Sequence, residues 1–283
     1  MTERSVLTTF KDPHRHWVGD GFLTQTMLSA HAHAGLVSPF ILAGYNPPMW
    51  FPPTDRPKGV GLHPHRGFAT VTIVFEGGVA HGDTLGHRGT IGPGDVQWMT
   101  AARGVQHEEF HSDLINAEGG RLDMMQLWVN LPAARKMDDP HYQAVSAADI
   151  PHVALAGGGH MRVIAGRAGD VAGPVVTATP LDLFDATLPA GEVHTFAPPA
   201  DYGVSVLLLS GGLKHGDLLL EGPETVIFAA GEGKITLQAT RDAHYLVLAG
   251  APIEEPIAMG GPFVMNTQAE IRQAFADFRR GAF

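Results

Sequence analysis

Apolar positions along this chain come mainly in short runs rather than helical stripes. Phe68-Ala-Thr-Val-Thr-Ile-Val-Phe75 is rich in β-branched and aromatic residues and stops at Gly77-Gly78. Val204-Ser-Val-Leu-Leu-Leu209 has the same character and stops at Gly211-Gly212. Runs of this kind, separated by Gly, Pro and Asp turns at roughly 8–12-residue spacing, predict a β-sandwich or barrel. Pro93-Gly94-Asp95 and Ala190-Gly191-Glu192 read as turns feeding strands that start at Val96 and Val193. One segment has helical periodicity. Ile271, Ala274, Phe275 and Phe278 recur at i, i+3, i+4 and i+7, preceded by the capping box Thr267-Gln-Ala-Glu270. A short C-terminal helix packed on a sheet is expected there.

The strand pattern repeats. Glu76-Gly-Gly-Val-Ala-His-Gly-Asp-Thr-Leu85 matches Ser210-Gly-Gly-Leu-Lys-His-Gly-Asp-Leu-Leu219 at six of ten positions. This echo predicts a duplicated β unit. At its offset, His63 and His65 fall on Ala197 and Pro199. Aligning Pro93-Gly-Asp with Ala230-Gly-Glu places His107 on His244 and Glu109 on Leu246. The second copy therefore reads as one without the histidine pair. The expected organisation is a domain over 1–135, a crossing segment with little regular structure over 136–160, and a second domain over 161–283. Lys136-Met-Asp-Asp-Pro140 reads as a charged turn in that crossing.

Composition narrows the chemistry. With no cysteine there is no disulfide, thiolate metal site or thiol nucleophile. The 35 glycines and 21 prolines, with only 17% charged residues, agree with a turn-rich β protein. A net charge of −10 without a basic cluster argues against direct nucleic-acid binding. Neither a signal peptide nor a membrane span is legible, so a soluble, cytoplasmic protein is expected, as a monomer.

Sixteen histidines remain to be explained. The strongest constellation is His63-Pro-His65 with His107-Glu-Glu109. Residues i and i+2 of a strand share a face. Two such strands side by side would present three imidazoles and one carboxylate, a donor set suited to Fe(II), Mn(II), Ni(II), Cu(II) or Zn(II). An octahedral ion so held keeps positions open for substrate and O₂.

Gly61-Leu-His-Pro-His-Arg-Gly-Phe68, Pro93-Gly-Asp-Val-Gln-Trp-Met99, Arg103-Gly-Val-Gln-His-Glu-Glu109, Gln126-Leu-Trp-Val-Asn-Leu131 and Gly261-Pro-Phe-Val-Met-Asn-Thr267 together resemble the pirin family of the bicupin superfamily. The resemblance runs from about Gly19 to the C-terminus. It implies an all-β chain of two cupin domains, jelly-roll-type barrels, the first holding one metal ion and the second without a full site. The implied ligands are His63, His65, His107 and Glu109, and the implied ion is iron(II). Two functions are associated with the family. One is quercetin 2,3-dioxygenase activity, in which Glu109 would act as the catalytic base toward a flavonol and O₂ would be the co-substrate. The other is iron-dependent regulation through a protein partner, a transcription factor or a metabolic enzyme. The family usually carries Glu where this chain has Ala69. Counted as i+4 from His65 on one strand, that position falls on the ligand face, and its loss would loosen the site.

The remaining candidates read as structural. Glu108 should face away from the ligands, whereas His111, i+4 from His107, could support them. His81 and His215 occupy equivalent turns of the echo. His87, His14, His16 and the pair His31-Ala-His33 are expected on exposed loops or strands. Phe68, Trp98 and Met99 are expected in the core, and Arg66 and Arg103 in ion pairs.

Overall fold

The computed structural model describes residues 2–33 and 35–283. Strands dominate, and the architecture is two β-barrel units with a short C-terminal helix. One unit comprises Met1–Pro13, Met27–Leu42 and Ala148–Pro252; the other comprises His14–Thr26, Ala43–Ala147 and Ile253–Phe283.

This division differs from the linear boundaries expected from sequence. The strand Val6–Phe10 pairs with Glu224–Phe228, which assigns the N-terminal residues to the later barrel. The helix Gln268–Arg279 buries Ile271 and Ala274 with Phe263 and Met265 of a hairpin, all in the unit that carries the histidine motifs. The crossing segment is also more ordered than expected. His141–Val145 is an edge strand paired with Val96–Thr100, and His152–Ala154 pairs with His160–Ala165.

In the histidine-bearing unit, one sheet contains Gly59–His65, Val105–His111, Val79–Asp83 and Arg88–Ile91 in that spatial order. The other is built around Phe68–Glu76, flanked by Val96–Thr100 and Gly120–Asn130. Phe22, Val74, Ile91, Ile115, Leu122 and Met124 fill part of its core. In the other unit a single sheet wraps on itself through Ile235–Gly250, a 16-residue strand. Its early residues pair with Val193–Phe196 and its later ones with Leu181–Leu188.

The echo has a backbone cause. Gly77 and Gly211 both adopt φ of 85°. A Cβ at Gly77 would lie 2.3 Å from the Arg121 carbonyl oxygen, and one at Gly211 would lie 1.9 Å from that of Asp242. Both copies thus need glycine to turn the strand against a following one. The helix cap is as the sequence predicts. The Thr267 hydroxyl accepts from the Glu270 amide, while the Glu270 carboxylate accepts from that of Thr267.

Alanine at Gly77 or Gly211 should cost about 1–3 kcal/mol through forced φ and collision. Gly92→Ala, where the nearest atom would be 3.7 Å away, should stay within about 0.5 kcal/mol. Urea denaturation of the three variants measures the difference.

Candidate metal centre

Two strands build the centre. Gly59–His65 and Val105–His111 run antiparallel, with His107 opposite His63 and Val105 opposite His65. Strand alternation turns His63 and His65 to one face, and the register brings His107 onto it. The three rings lie 4.3–5.0 Å apart, centroid to centroid. One nitrogen from each lies within 4.8 Å of the others, the one three-residue grouping of metal-ligating type found among the described residues.

Hydrogen bonding tests whether these residues fit an ion. His107 is 1% exposed, and neither ring nitrogen has a partner; His65 Nδ1 is buried and unpartnered too. Buried polar atoms left this way are costly, and a divalent cation would satisfy their lone pairs. His63 Nδ1 lies 2.9 Å from the Gly61 carbonyl oxygen, to which it can only donate. Its Nε2 therefore keeps a free lone pair, the tautomer a metal ligand needs. The donor set fits.

Glu109 stands beside this grouping rather than within it. Its Oε2 is 4.0 Å from His107 Nε2. The buried carboxylate accepts from Gln126 Nε2 at 3.1 and 2.9 Å and from the Thr72 hydroxyl at 3.3 Å. The register slips by one residue between His107 and Glu109, because Glu109 pairs with Val60 and sets Gly61 and Leu62 together against Glu108.

Burial pushes the pKa of His65 and of His107 well below the ordinary 6.5. Neighbouring imidazoles add to the effect: His107 and His63 act on His65, and His63 and His81 act on His107. A hydrogen bond from the His65 ring to the Pro262 carbonyl opposes it at His65, and the charge of Asp83 opposes it at His107. The His65 and His107 rings are thus neutral and available at neutral pH.

Several supporting residues carried no role in the sequence reading. Gln126 lies opposite Thr72 on paired strands, so both reach Glu109 from one wall. A lone amide amid Met124, Leu127 and Trp128 was the available cue. Phe68 and Trp128 pack against His65 at 5.1 and 5.5 Å. Lys136, expected in a charged turn of the crossing segment, is buried, with 1% of its surface exposed. Its ammonium donates to the Gly67 carbonyl (2.7 Å), Asn130 Oδ1 (2.6 Å) and the Val264 carbonyl (3.0 Å). Burial pulls its pKa down to about 8, against the attraction of Glu255 and Glu270.

Ala69 does not face the ligands. Arg66 and Gly67 separate two strands that belong to different sheets, so counting i+4 from His65 fails. Phe68 and Thr72 contact His65 and Glu109; Ala69, alternating with them, is buried on the opposite side of its strand.

Several other histidines bond and pack within the fold. His111 is buried, with Nε2 donating to the Gly21 carbonyl and its ring edge-on to Phe22 and Phe51. His215 uses both nitrogens on backbone carbonyls, those of Thr236 and Arg4. His31 and His33 lie in the short helix Ala30–His33 rather than a strand, and His33 is buried. His87 pairs with Asp83 at 2.8 Å. Glu108 points away and meets Arg88 at 3.3 Å. Arg103 pairs with Asp139 on the surface, while Arg66 is buried against Asp277 at 2.7 Å.

The sequence matches the family model described as Pirin over residues 21–129 and that of the Pirin C-terminal cupin domain over 183–283. It is 46% identical over 281 residues to "Putative quercetin 2,3-dioxygenase PA2418" of Pseudomonas aeruginosa, covering 99% of this chain and 98% of that one. It is 38% identical over 230 residues to human Pirin, covering 79% and 77% of the two chains. A crystal structure of quercetin 2,3-dioxygenase from Acinetobacter baumannii superposes with a TM-score of 0.97 at 45% identity, covering 100% of this chain and 99% of that one.

Two measurements probe the centre. Gln126→Leu frees the Glu109 carboxylate and should weaken metal binding by about 10–100-fold in a competitive chelator titration. Separately, folding depresses the pKa of His65 and His107, so below 6.5 the unfolded chain takes up protons that the folded chain refuses. The stability tied to their neutral forms is intact above that pH and falls by about 1.4 kcal/mol per pH unit per group below it. Denaturation of metal-stripped protein across this range should show the loss, with a shallower slope in His107→Leu.

Proposed function

Since the chain belongs to the pirin family, we propose that it is a metal-dependent dioxygenase that opens the central ring of a flavonol with O₂ and releases carbon monoxide. The carrying observation is the grouping of His63, His65 and His107, in which His65 Nδ1 and both His107 nitrogens are buried and unpartnered. The names of the relatives from P. aeruginosa and A. baumannii support the choice of reaction.

The ion would be held by His63, His65, His107 and Glu109, with iron(II) the expected occupant. When bound, it supplies a Lewis-acidic position for the flavonol 3-hydroxyl and for O₂. The chain's own part is proton handling, positioning and exclusion of water. Glu109 accepts the 3-hydroxyl proton on a carboxylate oxygen, since the flavonolate is the electron-rich form that O₂ attacks. Gln126 and Thr72 hold that carboxylate in place and limit its reorganisation. Phe68 and Trp128 back the His65 ring, giving the reacting centre apolar walls that keep water out.

Quercetin turnover under air, followed by loss of flavonol absorbance, tests this reading. Metal-stripped protein should be inert and iron(II) should restore turnover. His63→Ala and His107→Ala should each lower kcat/KM by at least about 100-fold. Glu109→Gln should lose more in kcat than in KM, as expected for a missing base. Equal turnover by stripped and loaded protein would overturn the reading.

A further inference from the structure

In the unit that contains Ala148–Pro252, Val193–Phe196 pairs with Ile235–Gly250 so that Phe196 lies opposite Ile235 and His194 opposite Leu237. The same pairing in the other unit sets His65 opposite Val105 and His63 opposite His107. By register, His194 therefore corresponds to His63, Phe196 to His65 and Leu237 to His107. This corrects both sequence alignments of the repeat, which gave Ala197, Pro199 and His244. His244 instead bonds Asp185 at 2.7 Å, while its neighbour Tyr245 faces the core.

With two of three ligand positions apolar, this place is not built for a metal. A cavity of about 800 Å³ lies against it, lined by Leu155, Met161, Phe184, Phe196 and Val247 among others, and by His194. That volume is in the usual range of small-molecule sites. His194 Nδ1 is 2.8 Å from the Tyr245 hydroxyl. Tyr245 is fully buried with no other hydrogen-bond partner among the described residues. Its O–H must therefore donate to Nδ1, because the reverse arrangement would strand a buried donor. That places the imidazole proton on Nε2, which has no protein partner among the described residues. Burial holds His194 neutral, with a pKa of about 4. The cavity rim is braced: Arg4 donates to the carbonyls of Pro198 and Pro199, both at 2.7 Å, and of Tyr202 at 3.2 Å. A preformed wall lowers the ordering cost of binding. Arg167 and Asp182 both border the cavity, so their charges offset and the apolar lining favours a neutral guest.

We propose that this second barrel is a binding site for a neutral, planar aromatic molecule with an accepting oxygen, such as an aryl ketone, whose oxygen is received by His194 Nε2–H. The site is separate from the metal centre and needs no ion.

The neutral aryl ketone prodan, whose emission reports its surroundings, is titrated into the full-length protein. One saturable site per chain is expected, unchanged in His107→Ala and in metal-stripped protein. His194→Phe, which keeps ring volume, should weaken prodan at least about 10-fold but leave 2-dimethylaminonaphthalene, which lacks the carbonyl, unaffected. Ala197→Trp, on an exposed loop at the lining, should block both probes, and it keeps the test open if His194→Phe does not fold. Absence of saturable binding would overturn the proposal. So would binding that is lost in His107→Ala yet survives in both His194→Phe and Ala197→Trp.

Discussion

The antiparallel register that sets His107 opposite His63 governs the rest of the candidate centre. A one-residue slip in a strand sends every side chain to the opposite face. Such a slip would scatter the imidazoles between barrel interior and solvent. The register is pinned from both sides, since Val105–His111 also pairs with Val79–Asp83, His107 lying opposite Asp83. The slip that does occur comes just after His107, where Gly61 and Leu62 of the outer strand together oppose Glu108, one residue in excess. The irregularity is thereby spent on a loop-like bulge, with Leu62 57% exposed, and the three rings remain together.

The same strands are fastened to residues far along the chain. Arg66, next to His65, is buried with its guanidinium paired to Asp277 and stacked 4.4 Å over the Phe283 ring. The Val264 amide donates to the Arg66 carbonyl, and Gln106, next to His107, donates to the Phe283 carbonyl at 2.9 Å. Lys136 then closes the loop by bridging Gly67, Asn130 and Val264. A buried ammonium with three acceptors is expensive to leave partly satisfied, so this clasp fixes one arrangement rather than merely adding stability.

Much of this was legible in sequence because it is local. The strand runs, the capping box at Thr267 and the turn glycines each act within a few residues. The i, i+2 spacing of His63/His65 and His107/Glu109 also required only strand periodicity. What was not legible depends on pairing between distant segments. Gln126 gains its role only because its strand lies beside Thr72. Lys136 looked like a surface charge because its three acceptors come from positions 67, 130 and 264. The repeat is visible in sequence, but its register is not. Two residues, Arg66 and Gly67, join the ligand strand to the next one, whereas six, 197–202, do so in the second copy. Matching glycine turns across that difference in loop length shifts His63 and His65 onto the wrong partners, while His107 goes astray through the separate match of the Pro93 turn to Ala230-Gly-Glu. The face of Ala69 is hidden for a related reason, since the strand breaks at Gly67, where φ is 88°.

The exchange of terminal segments between the barrels also sets an order on how the molecule can be made. Each barrel is interrupted in sequence: one needs Met1–Pro13 together with Ala148–Pro252, and the other needs Ile253–Phe283 together with Ala43–Ala147. A ribosome releases the histidine strands long before the residues that clasp them. The motif-bearing barrel therefore waits, with its apolar faces incompletely covered, until the residues from Ile253 onward have emerged. Neither half of the gene encodes a self-sufficient barrel, and a cut between the halves would divide both.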